Sequence, residues 1–335
     1  MKVYLPTTNF VSNSGIGRAI KQQSENLKAA NIDIANNIKE ADIVHINFYS
    51  GKFYRDIKKA KKLGKKVVVH AHSTKEDTAH SFRFWRIILL VAVHNFMRCY
   101  KKGDVLITPT EYSKSLLLKY KGLEHKTIYP VSNGINLDKY KIENADFAGF
   151  DKLVDYHEGD KIVIGIGFPF ERKGIIEFFN TAKELPDVKF IWFGHLPYIA
   201  KPAWINRAIR KRPKNVLMPG YVDSSIIKAA LYRSSCFFFP SHEETEGIVV
   251  LEALATKTPL IINDIGCYKD WLTDGVNCYK GHNVEEFVSL LKKVLSSDNS
   301  KLVEEGYKVA IERSNKDTTK QIIEIYKSLL ENKGE

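Results

Sequence analysis

Along the chain, short apolar runs rich in β-branched residues alternate with longer stretches whose apolar positions recur at helical spacing. The runs fall at residues 3–5, 43–46, 67–72, 105–108, 162–167, 189–193, 236–239 and 259–263. Each is continuous rather than alternating, the pattern of a strand covered on both faces of a parallel sheet. With helical patterns between them, the repeating unit is strand, crossover helix, strand. The series occurs twice, which predicts an α/β protein of two Rossmann-like domains, residues 1–143 and 158–316. Residues 141–160 carry Gly149, Gly159 and mixed charge without a period, and read as the interdomain linker. From 317 to 335 apolar residues return at helical spacing, predicting a closing helix that packs back on the first domain.

Composition narrows the class. The 335 residues are 44% apolar and 27% charged, which is globular and long enough for two cores. The four cysteines have neither CxxC spacing nor a secretory segment before them, so a disulfide framework or zinc site is not expected, and a reducing cytoplasm is. The longest apolar stretch, residues 87–93, is far below the roughly 20 residues of a spanning helix, so any membrane contact would be peripheral. The net charge of +12 is one-sided: residues 1–150 hold 25 Lys and Arg against 13 Asp and Glu, and residues 151–335 hold 26 against 26. A cationic first domain attracts polyanions, whether nucleic acid, anionic lipid or a phosphorylated substrate.

In open α/β sheets ligands bind beyond the carboxyl ends of the strands, so the loops there are where chemistry is sought. Two are glycine-rich: Asn13-Ser-Gly-Ile-Gly-Arg-Ala19 and Gly165-Ile-Gly-Phe-Pro-Phe-Glu-Arg-Lys-Gly174. Ile20 and Phe170 stand where a third glycine would complete GxGxxG, and no GxxxxGK[ST] occurs, which disfavours a dehydrogenase or P-loop enzyme. A third loop, in Pro240-Ser-His-Glu-Glu-Thr-Glu-Gly-Ile-Val-Val-Leu-Glu-Ala-Leu-Ala255, follows a buried run and opens a helix. A helix start at Gly247 suits a diphosphate. Glu244 would face sugar hydroxyls, and Glu252, inside the helix, a ribose diol. Taken alone, the pair is more simply explained by acids loading a helix start, with Glu243, Glu244 and Glu246 as partners of the helix dipole.

The run Pro240 to Ala255, with Glu244 and Glu252 as an E-x7-E pair, resembles the family 4 retaining glycosyltransferases of the GT-B fold, in which a cleft lies between two Rossmann-like domains. Further matches follow in order: Gly15-Ile-Gly17, Ser132-Asn-Gly-Ile135, Arg172-Lys-Gly174 and Asp274-Gly-Val-Asn277. A narrower likeness, to bacterial enzymes that glucosylate diacylglycerol, rests on residues 244–253, Asp270-Trp-Leu272 and His70-Ala-His-Ser-Thr74. The resemblance implies a nucleotide sugar as co-substrate, UDP-glucose in kind, and no metal or other cofactor, in keeping with the lack of a DxD motif. It implies that Arg172 and Lys173 hold the diphosphate and stabilise its departing charge. Gly15, Gly17, Glu244, Gly247, Ile248, Val249 and Glu252 complete the donor contacts. His70 and His72 end a strand and are assigned to opposite faces, so that one reaches the ligand. His72, at the tip, matches the family histidine that aligns the donor sugar, although a lone histidine reads more plainly as a satisfied core residue. Departures from the pattern are Phe168 for a common arginine, Ser14-Gly15 for a double glycine, Asp270 for a glutamate and Cys278 for a glycine.

The acceptor is sought in the first domain. Residues 81–102 place Arg83, Arg86, His94, Arg98 and Lys102 along one side of a helix otherwise apolar and aromatic, Trp85 included. Two readings fit: an interfacial helix whose Arg83, Trp85, Arg86 and Arg98 meet anionic lipid, or an ordinary core helix. Residues 54–66 add basic charge, as a lipid contact or a solvated face. Together these lead to the expectation of a glucosyltransferase, peripheral on the cytoplasmic face of the cell membrane, acting on the hydroxyl of 1,2-diacylglycerol. A polyprenyl-linked or soluble glycan acceptor is the alternative. A nucleic-acid-binding protein is the remote one, since no base-stacking platform or reading-helix motif accompanies the charge.

Overall fold

The computed structural model describes residues 1–7, 15–79 and 83–331, and of residues 15–19 the backbone alone. Residues 13–14 of the first glycine-rich loop and 81–82 of the arginine-rich segment lie outside them. The chain forms two compact units, one of Met1–Thr78, Arg86–Asn133 and Asn315–Glu335, the other of Ala79–Trp85 and Gly134–Ser314.

In the first unit six strands, β1 (Lys2–Tyr4), β2 (Asp33–Ile34), β3 (Ile43–Ile46), β4 (Lys66–His70), β5 (Val105–Thr108) and β6 (Ile128–Pro130), pair in parallel in the order β2-β1-β3-β4-β5-β6. Val3, Val44, Val68, Leu106 and Ile107 are at most 1% exposed, because helices cover both faces. Phe53 and Ile57 of the helix Gly51–Lys62, with Phe96 and Tyr100 of Trp85–Lys102, fill the same core. The last helix, Asn315–Glu331, adds Ile322, Ile325 and Tyr326, and the Tyr326 hydroxyl lies 2.5 Å from His45 Nδ1.

The second unit repeats the plan with β7 (Ile162–Ile166), β8 (Lys189–Phe193), β9 (Val216–Gly220), β10 (Cys236–Phe239), β11 (Leu260–Asn263) and β12 (Tyr279–Gly281), again all parallel, in the order β12-β11-β10-β7-β8-β9. Trp192, Phe190, Phe238 and Phe178 fill the core on one side of this sheet, all fully buried. The four cysteines are free and buried, and among the described residues no helix is long and apolar enough to cross a membrane.

The expected linker differs from what is found. The division falls between Asn133 and Gly134, and residues 147–154 form a helix that belongs wholly to the second unit. Asp146 caps that helix by accepting from the Gly149 amide at 2.9 Å, and Phe150 and Val154 bury against the core. Asp151 pairs with Arg233 at 3.0 Å. Of the mixed charge that suggested a linker, Asp151 and Lys152 lie on this packed helix.

Tyr326 ties the final helix to the first unit. Tyr326→Ala is expected to lower stability by about 3–5 kcal/mol, as for deletion of a buried aromatic, and Tyr326→Phe by about 1 kcal/mol through the lost partner of His45. Urea unfolding of the two variants checks both values.

Candidate active site

In the second sheet β7 has β8 on one side and β10 on the other, so the strand order reverses between β7 and β10. A crevice for a ligand opens outside the carboxyl ends of strands at such a reversal. The loop after β7 runs from Gly167 to Gly174 and enters the helix Ile175–Lys183. The loop after β10 runs from Pro240 to Gly247 and enters the helix Ile248–Ala255. The sequence motifs around Arg172 and Glu244 are therefore the two loops that flank this point.

Gly174 joins them. Its φ is +75°, and a Cβ there would stand 2.1 Å from the carbonyl oxygen of Pro240, so no side chain fits. Beside it the Arg172 carbonyl accepts from the His242 amide at 2.7 Å and from Ser241 Oγ at 3.1 Å. Across this contact lies Glu244, 4% exposed. Its Oε1 accepts from Lys173 Nζ at 2.5 Å and from Ser241 Oγ at 2.6 Å, with Arg172 Nη1 at 3.6 Å. Arg172 also donates to the Glu243 carbonyl, and Lys173 Nζ sits 5.2 Å above the Phe239 ring. Burial pushes the Glu244 carboxyl up, but the charges of Lys173 and Arg172 and the hydrogen bonds from Lys173 and Ser241 outweigh it and hold its pKa below the usual carboxylate value.

The neighbouring acids divide by partner. Glu246 is fully buried and pairs with Arg313 at 2.9 Å, whose guanidinium stacks 4.4 Å from the Trp271 ring, so it fastens the loop to the end of the helix Ser300–Glu312. Glu252 sits half-buried in the helix Ile248–Ala255 and accepts from the Tyr140 hydroxyl at 2.6 Å, while the Tyr232 hydroxyl donates to the Tyr140 carbonyl. Gly247, at φ +79°, is the residue before that helix. Ile248 and Val249 form its first turn, with Ile248 44% exposed. The structure thus brings together Arg172, Lys173, Glu244, Gly247, Ile248, Val249 and Glu252 on the β7 and β10 side of one unit.

His72 belongs to the first unit. His70 and His72 do not point to opposite faces: residues two apart in a strand share a face, and their rings stack at 4.0 Å and 9°. His45 of β3 stacks on His70 in turn at 5.6 Å. Burial lowers all three pKa values, His72 to about 4, His45 to about 3 and His70 well below its ordinary value. His72 Nε2 lies 3.3 Å from Asn47 Oδ1, and Asn133 bonds its ring as well. Both ring nitrogens of His70 are buried without a hydrogen-bond partner. Gly15 and Gly17 open the helix Gly15–Ala29 in this same unit.

The helix Trp85–Lys102 is buried along one half and exposed along the other. Its second half buries Phe96, Cys99 and Tyr100. Its first half leaves Ile87, Leu90 and Val91 exposed by 65%, 73% and 58%, and Arg83, Arg86 and Arg98 are exposed too. Trp85 is partly buried, and Arg98 packs 4.1 Å over the Tyr54 ring of the basic helix Gly51–Lys62. Sequence reading missed Ser241, Tyr140, Asn47 and Tyr268. Of these, Ser241 stands next to the glutamates in the motif, whereas Tyr140 is 112 residues from Glu252 and carried no local signal. The Tyr268 hydroxyl is buried without a partner close to Gly247. Among the described residues no three His, Cys, Asp or Glu side chains are grouped to hold a metal ion.

Comparison with known proteins gives the family and the fold. The family model described as glycosyl transferases group 1 matches residues 153–334, and that described as glycosyltransferase family 4 matches residues 15–139. The chain belongs to these family 4 glycosyltransferases, enzymes of the GT-B fold. A processive diacylglycerol alpha-glucosyltransferase of Acholeplasma laidlawii is 43% identical over 94% of both chains. An alpha-galactosylglucosyldiacylglycerol synthase of Streptococcus pneumoniae is 23% identical over 79% of this chain and 72% of that one. Among solved structures, the Anabaena protein HepE in complex with UDP and glucose superimposes with a TM-score of 0.74 at 14% identity, over 98% of this chain and 99% of that one.

Two outcomes follow from the geometry. Gly174→Ala strains the backbone and drives a methyl group into the Pro240 carbonyl, and is expected to cost about 3 kcal/mol in thermal unfolding. The histidine stack makes stability acid-sensitive. Its folded pKa values lie below the unfolded value near 6.5, so its contribution is complete above about pH 6.5 and is lost as pH falls toward 4, by up to about 1.4 kcal/mol per pH unit for each ring. Urea unfolding at pH 7.5 and pH 5 measures the loss, and His70→Leu is expected to make it smaller by removing the contribution of one ring.

Proposed function

We propose that the enzyme transfers glucose from UDP-glucose to the free hydroxyl of 1,2-diacylglycerol with retention of the α-configuration, at the cytoplasmic surface of the cell membrane. The observation that carries the reading is the buried cluster of Arg172, Lys173 and Glu244 at the strand-order reversal. The 43% identity to a diacylglycerol alpha-glucosyltransferase supports the choice of acceptor and sugar.

In this reading Lys173 and Arg172 hold the diphosphate and stabilise its charge as the anomeric C–O bond breaks. Two cations meet that need, and no metal is assigned. The backbone of Gly247, Ile248 and Val249 faces the phosphates at the helix start, with Gly15 and Gly17 contributing from the first glycine-rich loop. Glu252, oriented by the Tyr140 hydroxyl, accepts from the ribose diol, and Glu244 accepts from a sugar hydroxyl. The acceptor hydroxyl attacks the face that the phosphate leaves and passes its proton to a phosphate oxygen, so no protein nucleophile is required. His72, with a pKa near 4, is neutral at pH 7 and serves as a hydrogen-bond partner of sugar or acceptor rather than as a cation.

The exposed apolar start of the helix Trp85–Lys102, with Arg83, Arg86 and Arg98, supports docking on an anionic membrane, and the outward lysines of Gly51–Lys62 add to it. Flotation with neutral and anionic liposomes is expected to show binding to the anionic set; equal recovery with both counts against docking. For the chemistry, the protein is incubated with UDP-glucose and diacylglycerol vesicles, and UDP release and a new glycolipid are followed. Activity on free or polyprenyl-linked glycans and none on diacylglycerol would reassign the acceptor. Glu244→Gln, Lys173→Ala and His72→Ala are each expected to lower turnover at least about tenfold, roughly 1.4 kcal/mol of transition-state stabilisation. Wild-type rates in all three would refute the assignments.

A further inference from the structure

The second unit carries a surface that the donor chemistry does not use. Residues 188–222 hold seven Lys and Arg and no Asp or Glu, although residues 151–335 as a whole balance 26 against 26. Within this stretch the loop after β8 turns through Tyr198–Ala200 and leaves Tyr198 63% and Ile199 73% exposed. The loop is fastened from beneath: Lys201, 9% exposed, donates to the Leu196 carbonyl, and Asn206, 4% exposed, donates to the Tyr198 carbonyl at 3.0 Å. Tyr198 and Ile199 are therefore held outward rather than collapsed onto the core.

The helix Ala203–Arg210 continues the pattern. Ile205 and Asn206 face inward, while Trp204, 46% exposed, shares the outer face with Arg207 and Lys211 at i, i+3 and i+7, flanked by exposed Arg210 and Lys214. The segment before the Trp85–Lys102 helix joins the same surface, for the Arg83 amide donates to the Ala200 carbonyl at 3.0 Å and Phe84 is 60% exposed. From Phe84 the chain runs directly into Trp85 and the exposed Ile87 and Leu90.

We propose that this face of the second unit is a second docking surface for an anionic lipid bilayer. Tyr198, Ile199, Trp204 and Phe84 lie at the boundary of headgroups and acyl chains, and Arg207, Arg210, Lys211 and Lys214 meet the anionic headgroups. Held aromatic and aliphatic side chains, interleaved with cations in a stretch of chain free of acids, match the chemistry of that boundary. The inference rests on the membrane reading of the proposed function and extends it. The unit that holds the donor is itself fixed at the surface, through the strand next to the one that delivers Arg172 and Lys173.

All four native cysteines are buried, so a single surface cysteine can be labelled selectively with an environment-sensitive fluorophore. Ile199→Cys, Ile87→Cys and, as a solvent control, Glu285→Cys are labelled in the full chain and mixed with vesicles of phosphatidylcholine alone or with phosphatidylglycerol. A blue-shifted, brighter signal from position 199 on the mixed vesicles, with position 285 unchanged, is the expected result. A response at 87 with none at 199 overturns the second surface and leaves the helix reading standing. Silence at both positions overturns the second surface and the membrane reading together. Arg207→Gln combined with Arg210→Gln is expected to weaken partitioning onto the mixed vesicles about tenfold, and wild-type partitioning of that variant also overturns the proposal.

Discussion

A carboxylate that is 4% exposed must be paired, because an uncompensated buried charge costs several kcal/mol. Glu244 therefore dictates the site. Its partners Lys173 and Arg172 come from the loop after β7, while it and Ser241 come from the loop after β10, so satisfying one charge pins two loops together at the reversal of the sheet. The contact is close enough to exclude any side chain at Gly174. The cations are thereby ordered in the protein as it stands, and an arriving diphosphate would find them in place. That is the condition under which electrostatic stabilisation of a departing charge is most effective, since little reorganisation is needed.

The first unit buries ionisable groups by the opposite route. His45, His70 and His72 have no carboxylate beside them and escape the cost of burial by staying neutral, stacked ring on ring. The two solutions respond in the same direction to acid, because protonation removes a needed charge in one and adds an unwelcome one in the other. They differ chemically. The second unit holds fixed charges, which the proposed mechanism assigns to a phosphate, and the first a neutral ring whose polarity is set by Asn47 and Asn133.

The parts of the fold that sequence reading recovered are the interior strands, whose burial on two faces writes a continuous apolar run. The four strands it missed, β2, β6, β9 and β12, are the four sheet edges. An edge strand has one neighbour and is partly solvated, so its short, mixed sequence, as in Asp33–Ile34 or the proline-bearing Val216–Gly220, loses that signature. The site divides in the same way. Residues contiguous in a motif, Arg172 with Lys173 and Glu244 with Gly247, were legible because spacing and order carry them. Tyr140 against Glu252 and Asn47 against His72 were not, since they meet only through the tertiary fold. The misplacement of His70 and His72 was avoidable, because a period of two puts them on one face. The misplaced linker was less so, because Phe150 and Val154 show their burial only once the helix Ser224–Arg233 is present to cover them.

Charge counted over whole domains hid what charge counted over surfaces reveals. Residues 151–335 are neutral in sum, but with the seven cations of residues 188–222 set aside the remainder holds 19 Lys and Arg against 26 Asp and Glu. The unit is thus polarised, and the acid-free stretch coincides with its exposed Tyr198, Ile199 and Trp204. Random scatter of charges would dilute cations with acids wherever apolar side chains reach solvent; their exclusion from this one stretch, together with a loop braced by buried Lys201 and Asn206, separates a recognition surface from an ordinary solvated face. Net charge decides whether a domain is drawn toward a polyanion, but the local coincidence of cations, rigid backbone and exposed rings decides which face arrives.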